Sequence, residues 1–293
     1  MTGFFSELGK QLAEKWVSLL VMPGLLFAAT VVTGLLAGHR HAWDVERLVR
    51  RGDQLATSMQ KTGTTAVLLA AAAVLLAAAA CGVLARAVAS LVEQAWLGRW
   101  PAPLRRFSTS RTQARAARWT YLSEQYEAAE HAPPAVRDRL AADRRQVSGS
   151  EPQRPTWMGD RLCSVDAVIW AEYRLDLTSA WPRLWLLAAP ESRTEIQSAR
   201  VAFDRATLLA GWGVLYLLVG IGWWPAIILG SIVWWTAWRQ GRSRIDAYAD
   251  LAEALVDLHI GQLAAALSIP SSDPSNTITG VGRQITERLR KGR

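Results

Sequence analysis

The chain has 293 residues, of which 51% are hydrophobic and 15 are tryptophan, and these apolar residues come in long blocks. Lysine and arginine outnumber aspartate and glutamate by 33 to 25, and the excess of basic residues lies between the apolar blocks. This pattern excludes a typical soluble globular protein and favours a membrane protein with an anionic partner.

The N-terminal residues predict an entry into the membrane. In residues 1–15, Phe5, Leu8 and Leu12 recur at helical spacing, which indicates an amphipathic helix at the bilayer interface. The uncharged stretch from Trp16 to Ala37 is long enough to cross once. A signal peptide is the alternative, but its hydrophobic region is usually about 7–15 residues long.

A polar connection at 39–63 separates this span from the next one. His39 and His41 lie in it, and two histidines without further ligands do not predict a metal site. Residues 64–84 form the second span, so residues 16–98 are predicted to be a first transmembrane hairpin with a helical extension. In the second span alanines recur on one face, which favours close helix contact: Ala66, Ala70, Ala73, Ala77 and Ala80.

Residues 99–206 are predicted to form a basic helical region in the cytoplasm. Six arginines and no acidic residue lie between 99 and 118. Such a cluster is typical of a juxtamembrane belt on anionic lipid, and a nucleotide or nucleic-acid ligand is the alternative. The candidate binding residues are Arg105, Arg106, Arg111, Arg115 and Arg118. Further on, Pro133 and Pro134 predict a break between polar helices, and residues 148–155 have the composition of a linker.

Residues 156–238 contain TWMGDRL, then WPRLWLL, then a helix led by ESR that enters an apolar stretch. This order resembles a set of multi-span membrane proteins of high-GC bacteria, in which a Thr-x-x-Gly element precedes Trp-Pro-Arg-Leu. The resemblance implies a multi-span helical fold and no particular activity. The matching positions are Thr156, Gly159, Trp181, Pro182, Arg183 and Leu184.

Residues 207–238 hold no charged side chain and predict a second transmembrane hairpin. A single straight helix of this length would overshoot a hydrocarbon core of about 30 Å. Two short spans that turn at Trp223, Trp224 and Pro225 fit better, because proline is favoured at the first position of a helix.

The remaining residues predict an amphipathic helix at 239–268 and a flexible basic tail at 269–293. The helix carries an acidic stripe of Asp246, Asp250, Glu253 and Asp257. This stripe could face water, pair with Arg111, Arg115 and Arg118, or line a vestibule.

The distribution of basic residues predicts the orientation. With the N-terminus inside, the inner segments near the spans hold 15 lysines and arginines and the outer loop holds five. The positive-inside rule therefore places both termini in the cytoplasm of a bacterial cell with this chain in its inner membrane.

No catalytic motif is present, so an enzyme is not predicted, and neither is a cofactor or a metal. The two cysteines lie in different environments and predict no disulfide. Membrane-embedded ionisable groups, which ion-coupled transporters use, are lacking, so a transporter is a weaker hypothesis. The spans offer hydroxyl and small residues for helix packing or a pore wall: Thr30, Thr33, Gly211, Gly213, Gly230 and Ser231.

The sequence therefore predicts an all-α polytopic membrane protein with four transmembrane helices in two hairpins and a helical cytoplasmic region. The preferred function is a homo-oligomeric gated pore or channel-like effector in the lipid bilayer, controlled by an anionic cytosolic ligand. Bacterial antiphage defence uses membrane effectors of this plan, and that link is analogy alone. The alternative is a non-conducting scaffold that binds anionic lipid or recruits a partner.

Overall fold

The computed structural model describes residues 22–38, 63–269 and 278–290, together with six residues between 46 and 57. Helix accounts for 86% of the described residues, and none of these forms a strand. The prediction of an all-α chain is therefore confirmed. The interfacial helix predicted at 1–15, the first residues of the first span, and His39 and His41 with most of the outer loop lie outside the described residues.

The described helices are bounded by residues that suit helix ends. Pro134, Pro190 and Pro225 each occupy the first position of a helix, where the missing N–H costs no hydrogen bond. A short 3-10 turn, Ala102–Leu104, lies between the second and third helices, with Pro101 before it and Pro103 within it. In chain order the helices are α1 (Met22–Ala37), α2 (Thr64–Trp96), α3 (Arg105–Ala128), α4 (Pro134–Val147), α5 (Trp157–Tyr173), α6 (Leu177–Leu187), α7 (Pro190–Val219), α8 (Pro225–Ala266) and α9 (Ile278–Arg290).

Two of these helices are long and apolar enough to cross a membrane: Thr65–Trp96 within α2, and Pro190–Val219. The shorter α1 is also apolar. Only 11% of the most apolar part of α2 is buried, against 50% for α7. Most of the apolar surface of α2 therefore faces outward, whereas half of α7 packs inside the protein.

Contacts divide the chain into two units. The first, here called the apolar unit, lies within residues 1–92 and 206–239. The second, the polar unit, lies within residues 93–205 and 240–293. The helices α2, α7 and α8 are each divided between the two units, with one part in the apolar unit and the other part in the polar unit.

In the apolar unit, α1 packs against α2 and α7. Gly24 of α1 lies so close to the carbonyl group of Ala78 that a side chain there would collide with it. The ring of Phe27 lies 5.7 Å from that of Trp212 and 5.3 Å from that of Tyr216. The aromatic contacts and the small residue together hold α1 in place.

The polar unit has a core of its own. Buried side chains from α5, α6, α8 and α9 and from the start of α7 form one hydrophobic cluster. Leu184, within the Trp-Pro-Arg-Leu sequence, is fully buried in it. Burial of these aliphatic side chains is the main favourable term for the fold of this unit.

Residues 278–290 form α9, so the flexible tail predicted at 269–293 does not hold for this stretch. Val281, Ile285 and Leu289 recur every four residues and contribute to the core of the polar unit. The helix has few apolar residues overall, and its content of basic residues is typical of a mobile tail. Its order depends on packing against α5 and α6 rather than on intrinsic helix propensity.

Polar contacts fix α9 where α5 ends and α6 begins. The Thr286 hydroxyl accepts a hydrogen bond from the N–H of Asp176 at 2.9 Å and donates to the carbonyl of Arg174 at 3.1 Å. The guanidinium of Arg290 donates to Asp176 at 3.0 Å. Burial by itself raises the pKa of Asp176, but hydrogen bonds from Ser179 and Arg290 outweigh it and lower this pKa.

We expect Gly282→Ala to release α9, because an added carbon at this position collides with the Tyr173 carbonyl group. Overpacking of this kind costs about 1–3 kcal/mol, which corresponds to an increase of roughly 5- to 150-fold in the opened population. Limited trypsin digestion followed by mass spectrometry should therefore cut within 278–290 about tenfold faster. Gln284→Ala on the exposed side of α9 is the matched control and should be cut at the wild-type rate. Equal rates for both variants would contradict the docked position of α9.

Candidate functional site

The five arginines predicted to bind an anionic ligand all lie on α3. Because a helix turns about 100° per residue, Arg111 and Arg118 share one face, with Arg115 beside them, whereas Arg105 and Arg106 lie well to either side. All are exposed except Arg115, which is half-buried. The structure thus leaves two exposed arginines, Arg111 and Arg118, on the predicted face.

Arg115 is engaged inside the polar unit. Its guanidinium donates to the Val147 carbonyl at 2.7 Å and to the Asp160 carboxylate at 2.6 Å. Only 3% of the Asp160 side chain is exposed. The other carboxylate oxygen of Asp160 accepts the backbone N–H groups of Gln153 and Arg154 at 2.8 and 2.6 Å. This ion pair therefore fastens the predicted linker at 148–155, and Arg115 has a structural role.

The Thr-x-x-Gly element connects two helix ends within the polar unit. The Thr156 hydroxyl accepts the N–H of Gly159 at 3.2 Å, so Thr156 is the N-cap of α5. The same hydroxyl donates to the carbonyl of Trp96 at 2.6 Å. A side chain on Gly159 would lie 2.6 Å from the Leu97 carbonyl oxygen, so only glycine permits this approach. Thr156 and Gly159, two of the matching positions of the resemblance, therefore have a packing role.

The acidic stripe of α8 pairs with Arg161 rather than with the arginines of α3. The Arg161 guanidinium contacts Asp246 at 2.7 Å, Asp250 at 2.5 Å and Glu253 at 2.8 Å. Burial by itself lowers the pKa of Arg161. The hydrogen bonds to these carboxylates outweigh burial, so the net pKa of Arg161 is higher than usual. One half-buried cation thus ties α5 to α8 along three successive acidic positions.

The fourth acidic residue of the stripe has a different partner. The Tyr173 hydroxyl donates to the Asp257 carboxylate at 2.9 Å. Burial and this hydrogen bond raise the pKa of Tyr173 to about 12. The phenol therefore stays neutral near pH 7 and acts as a hydrogen-bond donor at the end of α5.

A pair of clefts opens beside the Trp-Pro-Arg-Leu sequence. Trp181, Pro182 and Tyr248 line both clefts, which have volumes of about 310 and 510 Å³. The rings of Trp181 and Trp185 lie 6.1 Å apart. Arg183 points elsewhere and donates to the Ser179 carbonyl at 2.8 Å. The two clefts form a concave apolar surface in the polar unit, and such surfaces are the usual sites of small ligands.

The candidate pore residues lie in the apolar unit, where the glycines contact neighbouring helices of the same chain. A side chain on Gly211 would lie 2.5 Å from the Ala85 carbonyl oxygen of α2. Gly213 and Gly230 face each other between α7 and α8. Thr30 donates to the Leu26 carbonyl at 2.9 Å, Thr33 is half-buried and Ser231 is exposed. The structure does not bring these six residues together.

Two stripes of small residues run along different faces of α2. Ala78, Gly82, Ala85 and Ala89 are buried and pack within the apolar unit. The predicted alanine face lies roughly a third of a turn away. Its residues are exposed apart from Ala70, which is half-buried. Among the described residues, the face that favours close helix contact is thus mostly exposed.

Sequence reasoning missed the three features that organise the polar unit: the buried Asp160, the Arg161 cluster and the clefts. The sequence feature that could have indicated them is the adjacent pair Asp160 and Arg161. These two charged residues lie at the start of a helix whose other face is apolar. Their partners could not be found by spacing, because they lie 45 to 92 residues away along the chain.

Within the described residues, no group of three histidine, cysteine, aspartate or glutamate side chains is arranged to hold a metal ion. In comparisons with known proteins, no family model, no curated protein and no solved structure matches this chain.

Proposed function

We propose that the chain is an integral protein of the bacterial inner membrane with four spanning segments and both termini in the cytoplasm. The segments are α1, the apolar part of α2, and the apolar parts of α7 and α8. In this proposal several copies assemble into a gated pore or channel-like effector, and the polar unit is the cytoplasmic region that controls it.

The observation that carries the membrane proposal is the outward-facing apolar surface of α2. Leu69 is 68% exposed and Leu76 is 72% exposed, and leucine, valine and alanine surround them. Soluble monomers rarely expose apolar patches larger than a few hundred Å². A lipid bilayer accommodates such a surface, because hydrocarbon replaces water around it and the helix satisfies its own backbone.

The mostly exposed alanine face of α2 supports assembly. Helices associate in lipid mainly through close backbone approach, which small side chains permit. Gly211, Gly213 and Gly230 are occupied by contacts within one chain, so the alanine face is the better candidate for contact between copies. Arg111 and Arg118 offer an exposed basic surface for an anionic lipid or a phosphate-bearing ligand. The continuous helices α2, α7 and α8 would carry a change from that surface to the spans.

Ala73→Leu tests the proposal, because a larger side chain should block contact through the alanine face. We expect the mass of the maltoside-solubilised protein, measured by light scattering, to fall from that of an oligomer to that of a monomer. Ion flux across liposomes should fall with it. Ala72→Leu is the matched control, since Ala72 is exposed and lies about a third of a turn from both small-residue stripes.

A wild-type protein that is monomeric and leaves liposomes sealed would overturn the pore proposal. The same holds if Ala72→Leu and Ala73→Leu change mass and flux equally. An oligomer that does not conduct would favour the alternative, a membrane scaffold. That alternative gains support from Gly211, Gly213 and Gly230, which pack within one chain and leave a pore without those residues in its wall.

A further inference from the structure

The smaller of the two clefts in the polar unit is lined by apolar side chains and two aromatic rings. Trp181 and Pro182 of α6 form one wall, and Tyr248 of α8 contributes to another. Leu162, Val165, Leu177 and Ala252 complete the apolar lining. Its polar side chains are those of Asp166 and Thr178. The cleft is thus an aromatic site with one carboxylate.

The second cleft continues from the first, because both share Trp181, Pro182 and Tyr248. It adds Trp185, Leu186 and Ile196, and Arg200 lies at its edge. The Arg200 guanidinium is already paired with Glu93 and Asp204. This second cleft therefore offers an apolar extension and no free positive charge for an anionic ligand.

Asp166 is a carboxylate without a cationic partner. Within the described residues, no hydrogen bond or ion pair reaches its side chain. Arg161, one turn away on α5, is committed to the acidic residues of α8. Partial burial at the cleft wall and the nearby charge of Asp176 raise the pKa of Asp166. Among the described residues, no cation is paired with the Asp166 carboxylate, which is therefore available to a cationic ligand.

We propose that this cleft binds an organic cation with an apolar body, such as a quaternary ammonium compound. The positive charge meets the carboxylate of Asp166, and the methyl or methylene groups contact Trp181 and Tyr248, whose rings attract cations. An anion is disfavoured by Asp166, and a divalent metal would require several oxygen ligands where the cleft offers one carboxylate. The proposal concerns the polar unit alone and holds whether or not the protein conducts.

Choline and its neutral isostere, 3,3-dimethylbutan-1-ol, provide the test. The full chain is solubilised in a maltoside detergent, because phosphocholine detergents carry the same cation. Isothermal titration calorimetry should give saturable binding of choline and at least tenfold weaker binding of the neutral alcohol. Asp166→Asn should weaken choline binding about tenfold, the effect of losing one charge-assisted contact. Asp138→Asn is the matched control, since it removes one negative charge from the exposed side of α4.

Trp181→Ala should also weaken choline binding, with circular dichroism to verify that the helices remain. Absence of saturable choline binding, equal affinity for the neutral alcohol, or wild-type affinity in Asp166→Asn would each overturn the proposal. Titration with short-chain phosphatidylcholine then distinguishes the two sources of this cation. Binding of choline but not of the lipid indicates a free metabolite, whereas tighter binding of the lipid indicates a lipid headgroup.

Discussion

Asp160→Ala is expected to lower the free energy of unfolding of the polar unit by about 3–5 kcal/mol, the range measured when one partner of a buried ion pair is removed. The carboxylate is nearly inaccessible to water and binds Arg115 at 2.6 Å. Its other oxygen holds two backbone N–H groups of the segment before α5. The substitution leaves the two backbone N–H groups without their acceptor, and the guanidinium of Arg115 keeps the Val147 carbonyl but loses its counter-ion.

The measurement is thermal unfolding of the detergent-solubilised protein at one fixed scan rate, because unfolding of such proteins is often irreversible. Glu124→Ala, at an exposed position of α3, is the control and should unfold within a few degrees of the wild type. Arg115→Ala should be destabilising as well. Combining the two substitutions should cost less than the sum of the single effects, since the double variant buries no unpaired charge. Additive effects would contradict a direct pair.

The ion pair between Asp160 and Arg115 also affects how the predicted ligand site can be tested by mutation. Arg115 lies between Arg111 and Arg118 on α3, so a scan that replaces all five arginines would mix a folding defect with a binding defect. Replacing only Arg111 and Arg118 avoids this confusion, because both side chains are exposed. The structure thus divides one predicted cluster into a structural residue and residues that remain available for a ligand.

Local signals predicted much of the helical framework. The helix beginnings at Pro134, Pro190 and Pro225 follow from proline, which is favoured at the first helical position because its missing N–H costs no hydrogen bond there. The helical extensions of α2 and α8 beyond their apolar parts follow from helical periodicity that no proline interrupts. These features are determined by residues that are close together along the chain, so they can be predicted from the sequence.

Contacts between residues that are distant along the chain could not be predicted from the sequence. The sequence predicts that the acidic stripe faces water, pairs with the arginines of α3, or lines a vestibule. Its partner in the structure is Arg161, and that pairing depends on how α5 lies against α8. Helix α9 was predicted as a mobile tail because its composition is polar, and its helical state depends on a binding surface formed by distant residues. From the sequence, the glycines of the spans could line a pore or pack against neighbouring helices, since both roles require a small side chain.

Gly211→Ala distinguishes those two uses. In an exposed helix this substitution stabilises by about 0.5–1 kcal/mol, because alanine loses less backbone entropy on folding. At Gly211 the added carbon would lie 2.5 Å from the Ala85 carbonyl oxygen and 3.2 Å from the Ala89 side chain. We therefore expect the opposite sign, a destabilisation of about 1–3 kcal/mol from overpacking between α7 and α2.

Gly261→Ala is the matched control for this experiment. Gly261 also lies inside a helix, and no atom lies within 4 Å of the position where its added carbon would be. The control should unfold at the wild-type temperature or above it, whereas Gly211→Ala should unfold several degrees lower in the same detergent. A residue in a pore wall would behave differently, because an added methyl group would project into water or an empty lumen. It would change ion flux without lowering thermal stability, and that result would return Gly211 to the list of pore candidates.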